Sequence, residues 1–154
     1  MSTPATLVAD LVATLRLPDV PIGPDGACGL LFDNEVNVTL EPDPRDPSTL
    51  HLHTTVGRVP DQNPRAFYER LLRANYLGHG TEGFILALDE AGRSVLLSTS
   101  VDSSHWTVEG LSDLLVKLVR VARLWTGRLA SHAHRAQASG APGWDANLAH
   151  MLRV

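Results

Sequence analysis

The stretch most suggestive of chemistry is Gly78-His79-Gly80-Thr81-Glu82-Gly83, a literal G-x-G-x-x-G. In a dinucleotide site such a loop leaves a strand and opens a helix, so that the helix's positive end meets the pyrophosphate. Here the order is reversed. Phe67, Leu71 and Leu72 read as helix before the loop, and residues 83–88 read as strand after it. The glycines are therefore expected to stop a helix and admit a strand, and no cofactor is expected.

His51 and His53 are two apart in a strand-like run, so both rings project from one side and could share a metal ion. A structural zinc site wants four N or S ligands and a catalytic one wants three plus water. No third ligand is marked by spacing, because His79, His105, His132, His134 and His150 are scattered. The expected reading is a solvated strand face without a metal. Ser98, Ser100, Ser103 and Ser104 cluster near His105, which could suggest a nucleophile and its base, but no G-x-S-x-G elbow presents them. Asp89 and Glu90 read as solvated turn carboxylates, and Cys28, among apolar neighbours, as a buried inert thiol. No catalytic residue stands out, and the chain is not expected to be an enzyme.

The bulk properties agree with a binding role. The 154 residues, 44% hydrophobic and 19% charged, suit one domain with a real core. No apolar run reaches the roughly 18 residues of a membrane span, and the first residues lack the pattern of a secretory signal. With Cys28 as the single cysteine, no internal disulfide forms, and a cytoplasmic location is expected. A net charge of -4 argues against nucleic acid as the partner. The bases are unevenly placed, and Arg120, Arg123, Arg128 and Arg135 near the end read as the solvated face of a helix.

The elements follow from periodicity. Pro4 to Arg16 reads as a helix capped by Thr3, with Leu7, Val8, Leu11, Val12 and Leu15 on one face. Cys28 to Asp33, Val36 to Glu41 and Thr49 to Val59 read as an antiparallel meander, broken by Asp-, Asn- and Pro-rich turns. Asn63-Pro64 restarts a helix that Gly78 can stop. Two strands follow, over 83–88 and 93–99, around an Asp89-Glu90-Ala91-Gly92 turn. A long amphipathic helix begins at Thr107 and reaches about Ala136. The expected fold is α+β in the order αβββαββα, an antiparallel sheet with helices packed on it. Residues 1–136 form the domain. Residues 137–154 are a connector with Trp144, Leu148 and Met151 in either a short docked helix or a frayed tail.

Two stretches resemble the class I chaperones of bacterial type III secretion, the Tir chaperone family. The first is Asp25-Gly26-Ala27-Cys28-Gly29-Leu30-Leu31-Phe32-Asp33, continued by Val36, Val38, Leu40, Glu41, Leu50, Leu52, Val56-Gly57 and Pro60. The second, more specific, is Leu71-Leu72-Arg73-Ala74-Asn75, Gly83, Leu86-Ala87-Leu88-Asp89, Gly92-Arg93 and Leu96-Leu97. The resemblance covers roughly residues 4–126. It implies a homodimer that holds the extended N-terminal region of one or a few secreted effectors, keeping it soluble and fit for export. It also implies effector contacts from the first helix and first three strands, hence Leu7, Leu11, Leu15, Leu31, Val38 and Leu40. Dimer contacts would come from the middle helix and last two strands, hence Phe67, Leu71, Ile85 and Val95, with the last helix as the competing seam. The alternatives are a small sensor or regulatory dimer that binds a folded partner, and an enzyme using His51, His53 or His105.

Overall fold

The computed structural model describes residues 3–139, with side chains as far as Ser131. Helix α1 spans Pro4–Thr14, and the Thr3 hydroxyl accepts the Thr6 N–H at 3.2 Å, closing one of the first turn's orphan donors. Leu7, Val8, Leu11 and Val12 recur at helical spacing and are all buried. Strands β1 (Cys28–Phe32), β2 (Val36–Pro42) and β3 (Thr49–Arg58) form the expected antiparallel meander. Asp33 and Asn34 turn β1 into β2 with positive φ, a conformation that short Asx side chains tolerate. Between β2 and β3, Asp43 Oδ1 accepts the N–H groups of Arg45 and Asp46, which fixes the Pro-rich loop as an Asx turn.

Helix α2 spans Pro64–Asn75, followed by strands β4 (Ile85–Leu88) and β5 (Ser94–Asp102) and helix α3 (Val108–Ser139). The sheet order is β1-β2-β3-β5-β4, with every neighbouring pair antiparallel. The second hairpin thus joins the meander through its later strand and leaves β4 at the edge. Strand alternation puts Val38, Leu40, Leu50, Leu52, Thr54, Val56, Leu97 and Val101 inward. Across them lies α3, burying Leu111, Leu115, Leu118, Ala122, Trp125 and Leu129, with α1 packed beside it. Gly57 makes this approach possible, because a Cβ there would stand 2.8 Å from Leu129 Cδ1.

Three local expectations are corrected. Asn63 precedes α2 in a left-handed conformation, φ 51°, without a side-chain capping bond, so Pro64 alone supplies the start signal. The helix ends at Asn75 rather than Gly78, because a 3₁₀ turn over Tyr76–Gly78 intervenes with Leu77 at φ 53°. Gly78 does adopt the left-handed conformation, as the last residue of that turn. Finally, β5 continues to Asp102, three residues past the expected Thr99, because it pairs with β3 along its length. Helix α3 reaches Ser139, and the expectation for residues 140–154 lies outside the described residues.

Asn75 explains why α2 stops there. Its side-chain amide donates to Leu86 O at 3.0 Å and accepts Leu86 N–H at 2.9 Å, occupying both groups that β4 turns outward at that residue. The helix end therefore blunts a sheet edge that would otherwise offer its backbone. Asn75→Ala should lose about 1–3 kcal/mol of unfolding free energy in urea with an unchanged m-value. Asn37→Ala, at an exposed position on the same sheet, should stay within about 0.5 kcal/mol of the parent.

Candidate binding surfaces

The residues that could do chemistry lie in a turn, on a strand face and in a packed loop. Asp102, Ser104 and His105 meet in the turn after β5. Ser104 Oγ donates to Asp102 Oδ1 at 2.6 Å, and both Ser104 Oγ and Asp102 Oδ2 lie about 3 Å from His105 Nδ1. A catalytic triad needs serine and carboxylate on opposite ring nitrogens, so that one orients the base while the other gives up its proton. Here both crowd one nitrogen, on a ring that is 79% exposed. The arrangement caps a short 3₁₀ turn, and Ser104 holds the Asp102 carboxyl below the usual range.

His51 and His53 do share the outer face of β3, as their spacing implies. Each ring has a carboxylate partner from β2 or the loop after it. His51 Nε2 lies 2.8 Å from Asp43 Oδ2, and His53 Nε2 lies 3.8 Å from Glu41 Oε2. Among the described residues no group of three or more His, Cys, Asp or Glu side chains is arranged to hold an ion. The G-x-G-x-x-G segment links α2 to β4 and is packed against its own protein. A Cβ at Gly80 would stand 2.9 Å from Ala74 Cα, and the Trp125 indole donates to Gly80 O at 3.1 Å. Arg120 clasps the Glu82 carboxylate with both terminal nitrogens, which lowers that carboxyl's pKa, and Lys117 donates to Glu82 O at 2.8 Å. Cys28 is buried, and burial pushes its thiol up, away from the reactive thiolate.

The expected contact residues divide sharply. Leu7, Leu11, Val38 and Leu40 are at most 2% exposed, all in the protomer's own core, and Leu15 is partly buried against it. Of that set, Leu31 stands out at 62% exposed. In the second set Phe67, Leu71 and Val95 are buried, and Ile85 is 55% exposed. Amphipathic periodicity finds the side of an element that faces inward, and here α1, the inner sheet face and α3 satisfy one another. The signal for a contact surface is the reverse: an apolar residue out of phase with its element. Leu31 breaks the alternation of Cys28 and Leu30, Ile85 that of Phe84 and Leu86, and Leu72 adjoins buried Leu71.

Most of the exposed large apolar residues gather in two segments, while Val116 and Leu124 stand apart from both on α3. One is the chain leading into and forming the β1 edge, with Leu17, Ile22 and Leu31. Ile22 bridges Cys28 there, next to a short edge strand. The other comprises α2, the 3₁₀ turn and β4, with Leu72, Tyr76, Leu77, Ile85 and Leu88. Its shape is held by the Arg120, Lys117 and Trp125 contacts to the intervening loop. Between the two surfaces the outer sheet face is mostly polar, with Thr39, His53 and Ser98 paired in line and Ile85 at its far end.

A two-layer α+β domain with a completed core and apolar patches at both sheet edges is built to bind protein. The sequence profile of the Tir chaperone protein (CesT) family matches residues 6–126, and the chain belongs to that family. A comparison with curated protein sequences gives no match. Among solved structures, a chain of the ExsC–ExsE complex is similar at 24% identity and TM-score 0.66, over 81% of this chain and 92% of that one. A chain of the HopA1–SchA chaperone–effector complex is similar at 21% and 0.62, over 79% and 91%. A chain of the Yersinia pestis secretion chaperone SycH in complex with a stable fragment of YscM2 is similar at 22% and 0.60, over 78% and 97%. At these identities the likeness is one of fold.

The outer face also carries a pH dependence. The hydrogen bond from His51, helped by the Arg45 N–H, lowers the Asp43 carboxyl to about 2. A carboxylate depressed on folding contributes stability above its unfolded pKa and loses it as pH falls through the folded one. The thermal midpoint should therefore fall as pH drops from about 4 to about 2. Asp43→Asn should make that part of the profile shallower, and parallel profiles for parent and variant would dissociate His51–Asp43 from acid stability.

Proposed function

We propose that the chain is a cytoplasmic, non-enzymatic type III secretion chaperone, acting as a homodimer on the extended N-terminal region of one or a few effectors. Family membership supports this reading, and one observation carries it: most of the large apolar side chains left outside a saturated core lie in two separate segments, with Val116 and Leu124 apart from them on α3. A homodimeric holdase needs two, one for its own copy and one for its client. The long surface on α2, the 3₁₀ turn and β4 suits the copy. Ile85 lies in it, while Phe67, Leu71 and Val95 support it from beneath. The β1 edge suits the client, with Leu31 as its direct contact and Leu15 at its margin. In this reading Leu7, Leu11, Val38 and Leu40 shape the surface from inside.

The energetics fit a client that must be released. A large apolar side chain moved from water into a groove gains about 1.5–3 kcal/mol, and ordering an extended segment offsets part of that sum. An unpaired strand edge adds backbone hydrogen bonds without demanding a particular sequence. β1 is such an edge beyond its single bridge from Ile22 to Cys28, whereas Asn75 occupies the outward groups of Leu86 on β4. The complexes formed by similar structures, among them a chaperone–effector pair, agree with this use of the fold.

Co-expression with an effector N-terminal segment tests the client surface. Leu31→Asp should weaken capture about tenfold or more, with the thermal midpoint and dimer unchanged. Leu11→Asp should instead unfold the domain, since it buries an unpaired charge. If Leu31→Asp captures the segment as well as the parent, the β1 edge is not the client site. Leu72→Glu with Ile85→Glu should give folded monomers by light scattering at micromolar concentration. A dimer that survives both changes would move the seam elsewhere, with the last helix next in line. A regulatory dimer that reads a folded partner would leave the effector segment open to protease, whereas a chaperone protects it.

A further inference from the structure

Aspartates close several loops of this chain on themselves. Asp25 Oδ1 accepts the Ala27 N–H at 3.1 Å, Asp46 Oδ1 the Ser48 N–H at 3.0 Å and Asp102 Oδ1 the Ser104 N–H at 3.0 Å. In the β4–β5 turn, Asp89 Oδ1 accepts the N–H groups of both Arg93 and Ser94. Each is a short carboxylate that satisfies the backbone of its own loop. The β1–β2 turn is built otherwise. Its backbone closes as Glu35 N–H donates to Phe32 O at 2.9 Å, and the carboxylates flanking Asn34 both turn to Arg123 of α3. Arg123 Nη2 donates to Asp33 Oδ2, and Arg123 Nε lies 3.4 Å from Glu35 Oε2.

This pairing adds little to stability, because the Asp33 and Glu35 side chains are 77% and 67% exposed and water screens such pairs. Its effect is on position. β1 is five residues long, lies at the sheet edge and has β2 as its one strand neighbour, with the isolated bridge from Ile22 at Cys28. On α3, Arg123 is flanked by Ala122 and Trp125, both buried, so its guanidinium starts from a point fixed in the core. Arg123 thus ties the tip of the edge hairpin to the helix that fills the inner sheet face. The bridge and the arginine hold opposite ends of β1, and Leu31, its exposed apolar residue, lies between them.

We propose that Arg123 is a positioning residue for client binding: through Asp33 and Glu35 it fixes the β1–β2 turn, and so presents Leu31 and the β1 edge in one orientation. This rests on the reading of β1 as the client surface. An edge already set in its bound orientation loses less freedom when a segment adds to it, so affinity rises without any new contact. The geometry separates this role from a direct one. Both carboxylates on the guanidinium belong to its own protomer, and a client acid would have to displace them. The planar fork also matters, because Arg123 meets Asp33 and Glu35 through different nitrogens, which a lysine does not possess.

The test uses the full chain and the effector N-terminal segment it captures on co-expression, labelled so that fluorescence anisotropy reads the affinity. Arg123→Ala should weaken binding about fivefold with the thermal midpoint unchanged, and Arg123→Lys should fall between it and the parent. Asp33→Asn with Glu35→Gln should weaken binding to the same degree, and joining Arg123→Ala to that pair should add nothing. In the free protein, Arg123→Ala should speed amide exchange over residues 31–36 and leave β3 and β5 unchanged. Undiminished or tighter binding by the Asp33→Asn, Glu35→Gln variant would mean that a freed arginine touches the client itself, and overturns the proposal. So does parent-like affinity in Arg123→Ala while Leu31→Asp still weakens capture, and so does faster exchange spread over the whole sheet. If no segment is captured, or Leu31→Asp is silent, the β1 reading fails and this inference falls with it.

Discussion

The structure depends on one packing event, the laying of α3 across the inner face of a five-stranded antiparallel sheet. Leu111, Leu115, Leu118, Ala122, Trp125 and Leu129 meet Leu50, Leu52, Val56 and their neighbours, and Gly57 sets how closely the two layers approach. Helix α1 closes the remaining side with Leu7, Val8 and Leu11. Each of these buried side chains contributes on the order of 1.5–3 kcal/mol, and nothing from a second molecule is needed to complete the set. The consequence is restrictive. Whatever the protein binds through apolar contact, it binds with residues this core left out.

Those residues are few and localised, and their positions follow from the topology. Because β5 pairs with β3, the two sheet edges are β1 and β4, far apart in the sheet order. β4 is treated as an edge that must not pair freely: Asn75 occupies the outward groups of Leu86, and the apolar side chains of α2 and the 3₁₀ turn lie beside it. β1 carries no comparable amide clamp among the described residues, only an isolated bridge from Ile22. One edge thus suits packing of side chains against a folded surface, and the other suits an extended chain. The polar face between them, with its paired histidines and carboxylates, keeps the two surfaces separate.

Much of this was legible in the sequence, and the part that was not has a physical cause. Helical and alternating periodicity identified the elements, their order and the inward residues, because burial of one face is what those periods encode. The helix-then-strand context of Gly78-His79-Gly80-Thr81-Glu82-Gly83 was legible too, and the segment does link α2 to β4. Periodicity could not tell which apolar residues remain uncovered. The resemblance points to the first helix and first three strands for contacts, and of the residues it suggests there, Leu7, Leu11, Val38 and Leu40 lie in the protomer's own core. Leu31, Leu72, Leu77 and Ile85 carried a weaker signal, apolar character out of phase or in a turn, which has meaning only once the phase is known. The end of α2 was misplaced by three residues for a related reason. Asn75 stops the helix by bonding Leu86, eleven residues away, and no local pattern encodes such a contact.

The central claim is that binding uses the leftover surface while the core stays as it is. Amide hydrogen exchange, compared with and without a bound effector segment, reads this directly across the chain. Slower exchange is expected along β1 and the segment from Leu17 to Ile22, with α1 and the inner strands β3 and β5 unchanged. Faster exchange in α1 on binding, or protection centred on Leu7 and Leu11, would mean that the client opens the core and would contradict the account.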